Sequence, residues 1–156
     1  MAYDQKAVIA EAESLRRAAR DLPAARTASL GQGLALMPLT HALLESVAHG
    51  GGGGALGFPR LPEPFAKTVA AWSGGGPVAC VEAESFGGVG EQRAVVRDGG
   101  AVVLGPLRVE EGEPFPPDGG PVSRALRWLG VVAGPGEDEF SAVGLERHRH
   151  GGAWIA

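Results

Sequence analysis

"PVACVEAESFGGVGEQRAVVRDGGAVVLGPL", residues 77–107, decides the fold. Apolar and polar residues alternate on both sides of the glycines at 87, 88 and 90, as they do in half-buried strands. Asp98-Gly99-Gly100 is a strong tight-turn signal between two β-branched runs. Three short strands joined by turns read as an antiparallel meander after Pro77. The glycines fail the dinucleotide fingerprint, which needs Gly-x-Gly-x-x-Gly opening a helix. Position 93 is Arg, and an alternating strand follows. A hairpin connection is therefore expected, with the glycines supplying positive φ, a bulge or room for another chain.

Working outward, the sequence N-terminal to this stretch supplies the rest of an α+β fold. Val8, Ala12, Leu15, Ala19 and Leu22 recur at steps of three and four. This spacing predicts a helix from Asp4 to Leu22, packed at the periphery or used as a dimer arm. Leu30, Gln32, Leu34 and Leu36 predict a strand from about Ala28 to Met37. Thr40 is placed to cap the helix that follows, with Leu39 stapled onto Leu44 and with Leu43, Leu44 and Val47 buried. Residues 49–57 are glycine-rich and read as a flexible loop, without the Gly-Lys-Ser/Thr of a phosphate-binding loop. Leu61, Phe65, Val69 and Trp72 form the core stripe of a helix from Glu63 to Ser73.

C-terminal to the meander, residues 110–120 form an acidic connection rich in Pro and Gly. "PVSRALRWLG" predicts a short helix ended by Gly130, and "GEDEFSAVGL" another that begins with acids, as the helix dipole favours. The expected architecture is one α+β domain over residues 1–156: an antiparallel sheet of about four strands with helices mainly on one face.

The composition narrows the function classes. The 156 residues include 26 glycines and 12 prolines, 44% hydrophobic and 21% charged residues, which suits a folded core with long connections. A formal charge of −4 argues against nucleic acid as a partner, because phosphate binding needs a concentrated positive face. The single Cys80, the lack of a leader pattern and the lack of a long apolar run predict a cytoplasmic protein with no membrane partner. The usage of Ala, Gly, Arg and Pro points to a bacterium with a GC-rich genome.

Three groups of residues are candidates for chemistry. Glu82 and Glu84 leave one face of a strand roughly 7 Å apart, opposite in parity to Ala79, Val81 and Ala83. Such a pair can bind a metal, share a proton, meet a partner's cations, or simply pair with Arg93 across the hairpin. Phe86, Gly87, Gly88, Gly90 and Gln92 form the adjoining bend. Near the C-terminus, Arg147, His148, Arg149 and His150 form a basic segment able to complement Glu82 and Glu84. With His148 and His150, those acids would make a borderline ligand set for Zn, Mn or Fe. Cys80 lies in an apolar strand, where a thiol is inert, and Ser85 lacks the Gly-x-Ser-x-Gly of a nucleophile elbow.

Four stretches, "EAESFGGVGEQ", "SRALRWLGV", "EDEF" and "GLERHRH", resemble a family of small bacterial proteins of unassigned function. Its pattern is Glu-x-Glu-aromatic-Phe-Gly-Gly-x-Gly-x-Gln, followed by a Leu-rich helix, an acidic-Phe segment and Gly-Leu-x-Arg-His-Arg. Ser85 stands where that pattern has an aromatic residue. The resemblance implies no activity, although proteins of this type accompany polymorphic toxins as immunity factors. The expected function is thus a non-enzymatic, immunity-like protein-interaction module with no cofactor. Its expected partner is another protein, or a second copy of the chain. A metal-dependent enzyme using Glu82, Glu84 and His148 is the alternative. A module holding a small anion with Arg147, Arg149 and the glycine bend is the third reading.

Overall fold

The computed structural model describes residues 3–20, 22–47, 63–86, 89–110, 112–114, 116–117, 119–147 and 151–154. Among them are six strands: β1 (Tyr3–Glu11), β2 (Ala28–Ser29), β3 (Leu34–Pro38), β4 (Val78–Phe86), β5 (Val89–Asp98) and β6 (Ala101–Val109). The helices are α1 (Ala12–Ala19), α2 (His41–Val47), α3 (Glu63–Trp72), α4 (Pro121–Trp128), α5 (Glu139–Ala142) and α6 (Gly151–Trp154). All strand pairs are antiparallel, in the order β2-β3-β1-β4-β5-β6.

The meander β4-β5-β6 forms as its sequence predicts. Gly99 and Gly100 sit at φ 62° and 85°, as the two centres of a tight hairpin require. The expectation of about four strands is corrected to six. Residues 3–11, expected as helix, are strand, and only Ala12–Ala19 is helical. Ala7, Val8, Ile9 and Ala10 are all buried, two on each side of the sheet. A strand covered on both faces is a continuous apolar run, which a helical spacing can fit by chance. The expected strand 28–37 is instead two strands joined by a turn at Gln32 and Gly33, both with positive φ.

Helices cover both faces of the sheet rather than mainly one. On one side Val8, Ala10, Met37, Cys80 and Val95 pack with Leu15 of α1, Leu43 of α2 and Val69 of α3. On the other, Ile9, Leu36, Val81 and Val96 pack with Val122, Ala125 and Leu126 of α4 and with Val143 and Leu145. Thr40 caps α2 as expected, its Oγ1 accepting from the Leu43 N–H at 3.2 Å. Trp72 and Val69 carry the described part of the α3 stripe. The side chains of Leu44, Val47 and Phe65, Leu61, and the glycine-rich 49–57 segment lie outside the described residues. The described part of 110–120 contains turns, with no helix or strand.

Two glutamines fasten the second layer to the sheet. Gln92 Oε1 accepts from the Val122 N–H at 3.1 Å, satisfying a first-turn donor of α4. Gln32 pairs twice with the Val132 backbone, donating to its carbonyl at 2.9 Å and accepting from its N–H at 3.0 Å. Arg127 holds the buried Glu139 of α5 at 3.3 Å.

Gln5 is different. It is 2% exposed, and among the described residues neither amide atom has a hydrogen-bond partner. A buried, unpaired polar group costs roughly 1–3 kcal/mol. Gln5→Met keeps the volume and removes that cost, so urea unfolding should show a higher midpoint, with a gain on the order of 1 kcal/mol.

Candidate functional site

The face that carries Val8, Cys80 and Val95 also carries Lys6 and Asp4, Glu82 and Glu84, and Arg93 and Glu91, two and four residues further along each strand. Here the apolar side chains under α1, α2 and α3 give way to charged ones. Strand register sorts these charges into two rows across β1-β4-β5. Lys6, Glu82 and Arg93 are cross-strand partners, continued by Arg108 on β6. Asp4, Glu84 and Glu91 are the partners in the neighbouring row.

The first row alternates in sign from β1 to β5, with Arg108 a second cation beside Arg93, and is largely satisfied. Arg93 Nη1 lies 3.4 Å from Glu82 Oε2 and 3.4 Å from Glu91 Oε1. Both members of the Arg93–Glu82 pair are nearly sequestered, with side chains 16% and 11% exposed. Arg108 pairs with Glu110. Lys6 Nζ reaches sideways to Asp4 Oδ1 at 3.4 Å.

The second row places three carboxylates side by side, an arrangement that opposes sheet formation. Asp4 and Glu91 each have one cation at the edge of ion-pair distance. Glu84, between them, is exposed, and among the described residues no cation reaches it. Two unit charges 4 Å apart in water repel by about 1 kcal/mol. The fold can tolerate this, and a cation arriving above Glu84 would relieve it. The two rows line a small depression that is partly open to solvent.

The residues singled out in the sequence are thus dispersed. Glu82 is committed to Arg93, as the plainest sequence reading expected, while Glu84 belongs to the acidic row. Phe86 pairs with Val89 through the backbone, which leaves only Gly87 and Gly88 between the strands, and these two lie outside the described residues. Gly90 is within β5, opposite Ser85. Gln92 points to the other face and holds α4. Arg147 sits at the β2 edge, where it donates to Ser29 O at 2.9 Å, three strands from Glu82. His148, Arg149 and His150 lie outside the described residues.

Asp4, Lys6 and Glu91 were not legible as site residues. For Asp4 and Lys6 the signal was a shared parity with Val8 and Ala10, which puts all four on one face only once residues 3–11 are a strand. Among the described residues no group of three or more His, Cys, Asp or Glu side chains is arranged to hold a metal ion. No described helix is long and apolar enough to cross a membrane. Comparison with protein-family models, curated proteins and solved structures gives no match.

Cys80 lies under the helices beside this face. Burial pushes its thiol up to about 12; Arg97 lowers it and Glu82 raises it by smaller amounts. Burial, with Glu146 adding to it, also raises the Tyr3 hydroxyl, which donates to Leu145 O at 3.1 Å. A group kept protonated in the fold favours the unfolded state once the unfolded chain can lose its proton. Stability is therefore full below the ordinary thiol pKa of 9.0 and falls as pH rises from there towards 12. Denaturant midpoints measured across that window should decline less steeply in Cys80→Ala than in the native chain. Thiol reagents at neutral pH should label Cys80 only after unfolding.

Proposed function

We propose that the chain is a non-enzymatic protein-binding module whose contact surface is the open end of β1-β4-β5, and that its partner presents cations. The observation that carries this reading is the row Asp4–Glu84–Glu91. It sets three carboxylates in one line across the sheet, and among the described residues the central one, Glu84, is paired with no cation. Four carboxylates face two cations around the depression, so the local field is negative, in keeping with the overall charge of −4. Such a surface steers a basic partner and repels nucleic-acid phosphates.

The groups that chemistry would recruit already have structural work. Glu82 is bound by Arg93, the Cys80 thiol is buried and protonated, and Gln92 caps a helix. A metal enzyme using Glu82, Glu84 and His148 has less support for the same reason. So has an anion site using Arg147, whose guanidinium is engaged by two carbonyls and by Trp154. An immunity role, masking a basic surface of a toxin, is the specific form of the binding reading.

The test is capture from native lysate on the full chain, with EDTA present, followed by titration of the recovered partner. A stoichiometric complex is expected. Glu84→Lys combined with Glu91→Lys should weaken it on the order of tenfold or more and flatten its salt dependence. Asp98→Asn, at the exposed turn away from the row, should bind as the native chain does. A strict metal requirement, or equal affinity in the charge-reversed variant, would overturn the reading.

A further inference from the structure

The two sides of the sheet end differently. On the β6 side the strand carries Arg108 and an irregular register around Gly105 and Pro106, devices that discourage a neighbouring chain from pairing. On the other side β2 has only two residues. Behind it lies β3, Leu34–Pro38, uncharged and buried at every position. If β2 were displaced, β3 would be an apolar, uncharged edge of the kind that recruits a second chain.

The backbone of β2 shows what covers it. The Leu30 N–H donates to Leu34 O at 2.9 Å, while the Leu34 N–H turns to Gly31 O at 3.3 Å, so the Leu30 amide points in towards β3. Alternation along an antiparallel ladder then makes Ser29, opposite Ala35, a non-hydrogen-bonded position whose N–H and C=O point out of the sheet. Arg147 Nη2 donates to that outward carbonyl at 2.9 Å, and its Nε donates to Gly144 O at 3.0 Å. The same guanidinium lies 5.1 Å from the centroid of the Trp154 ring, within cation–π range. On either side of Arg147 the chain is anchored to the core: Leu145 is buried and its carbonyl accepts from Tyr3, and Trp154 packs against the cluster under α4.

We propose that Leu145, Arg147 and Trp154 form an intramolecular edge guard, with Arg147 as the latch, that keeps the β2-β3 edge closed to pairing with a second copy of this chain. The guanidinium is suited to the task because one planar group spans two carbonyls and still presents a face to an indole. The guard stands apart from the acidic row, which lies on other strands, so it holds or fails independently of the binding reading.

The experiment compares the full native chain with Arg147→Ala by amide exchange and by light scattering over a range of concentrations. Exchange over residues 28–37 should accelerate on the order of tenfold or more, while residues 78–96 keep their protection, and a concentration-dependent dimer should appear. Unchanged exchange over 28–37 would overturn the proposal, as would faster exchange in a chain that stays monomeric. Should Arg147→Ala lose protection everywhere, Arg147→Lys is the deciding variant. Its ammonium keeps the charge but cannot span both carbonyls and stack on Trp154. Loosening confined to 28–37 with association supports the guard, and native protection in that variant overturns it.

Discussion

Burial of β1 on both faces is the constraint from which the rest of the structure follows. Ala7 and Ile9 pack under one helical layer, Val8 and Ala10 under the other, and none is more than 1% exposed. A strand buried this way must satisfy every backbone group through neighbours, so it needs a partner on each side. Those partners are β3 and β4, which makes β1 the bridge between the N-terminal β2-β3 pair and the meander. Small residues at positions 7 and 10 let both helical layers approach closely, and the β-branched pair at 8 and 9 fills the space that remains.

The charged end of the sheet is a consequence of the same geometry. The side chains of β1, β4 and β5 on the face of α1, α2 and α3 begin apolar, at Val8, Cys80 and Val95, and turn charged at the next two positions of each strand. Register then forces Asp4, Glu84 and Glu91 into line, although they are far apart in the chain. Lys6 and Arg93 compensate the row behind them, and the Arg93–Glu82 pair is almost enclosed. Such a pair contributes little net stability once its desolvation is counted. It does fix the side chains that border the acidic row.

The meander, its Gly99-Gly100 turn, the Thr40 cap, the Val69–Trp72 part of the α3 stripe and the α4 stripe were legible in the sequence because each rests on local patterns. The Glu82–Arg93 pair was legible too, since a hairpin brings those positions opposite each other. The helix expected over residues 4–22 shows where local reading stops. Val8, Ala12, Leu15 and Ala19 have helical spacing, yet Ala7, Ile9 and Ala10 are buried just as deeply. That reading missed Asp4 and Lys6, and with them the β1 part of the candidate site. Gln92 looked like part of the bend's chemistry, but it faces the other layer, because a strand sends each successive side chain to the opposite face.

By itself, the sequence determined the antiparallel meander, the cap of α2, the ends of α3 and α4, and the negative charge of the chain. These depend on alternation, turn residues and caps within a few positions of one another. Only the tertiary structure decided that β1 is a strand, that helices cover both faces, that three acids share one row and that Arg147 reaches the Ser29 carbonyl at the β2 edge. Each of these rests on residues tens of positions apart, and no local pattern can say which strand will lie beside which.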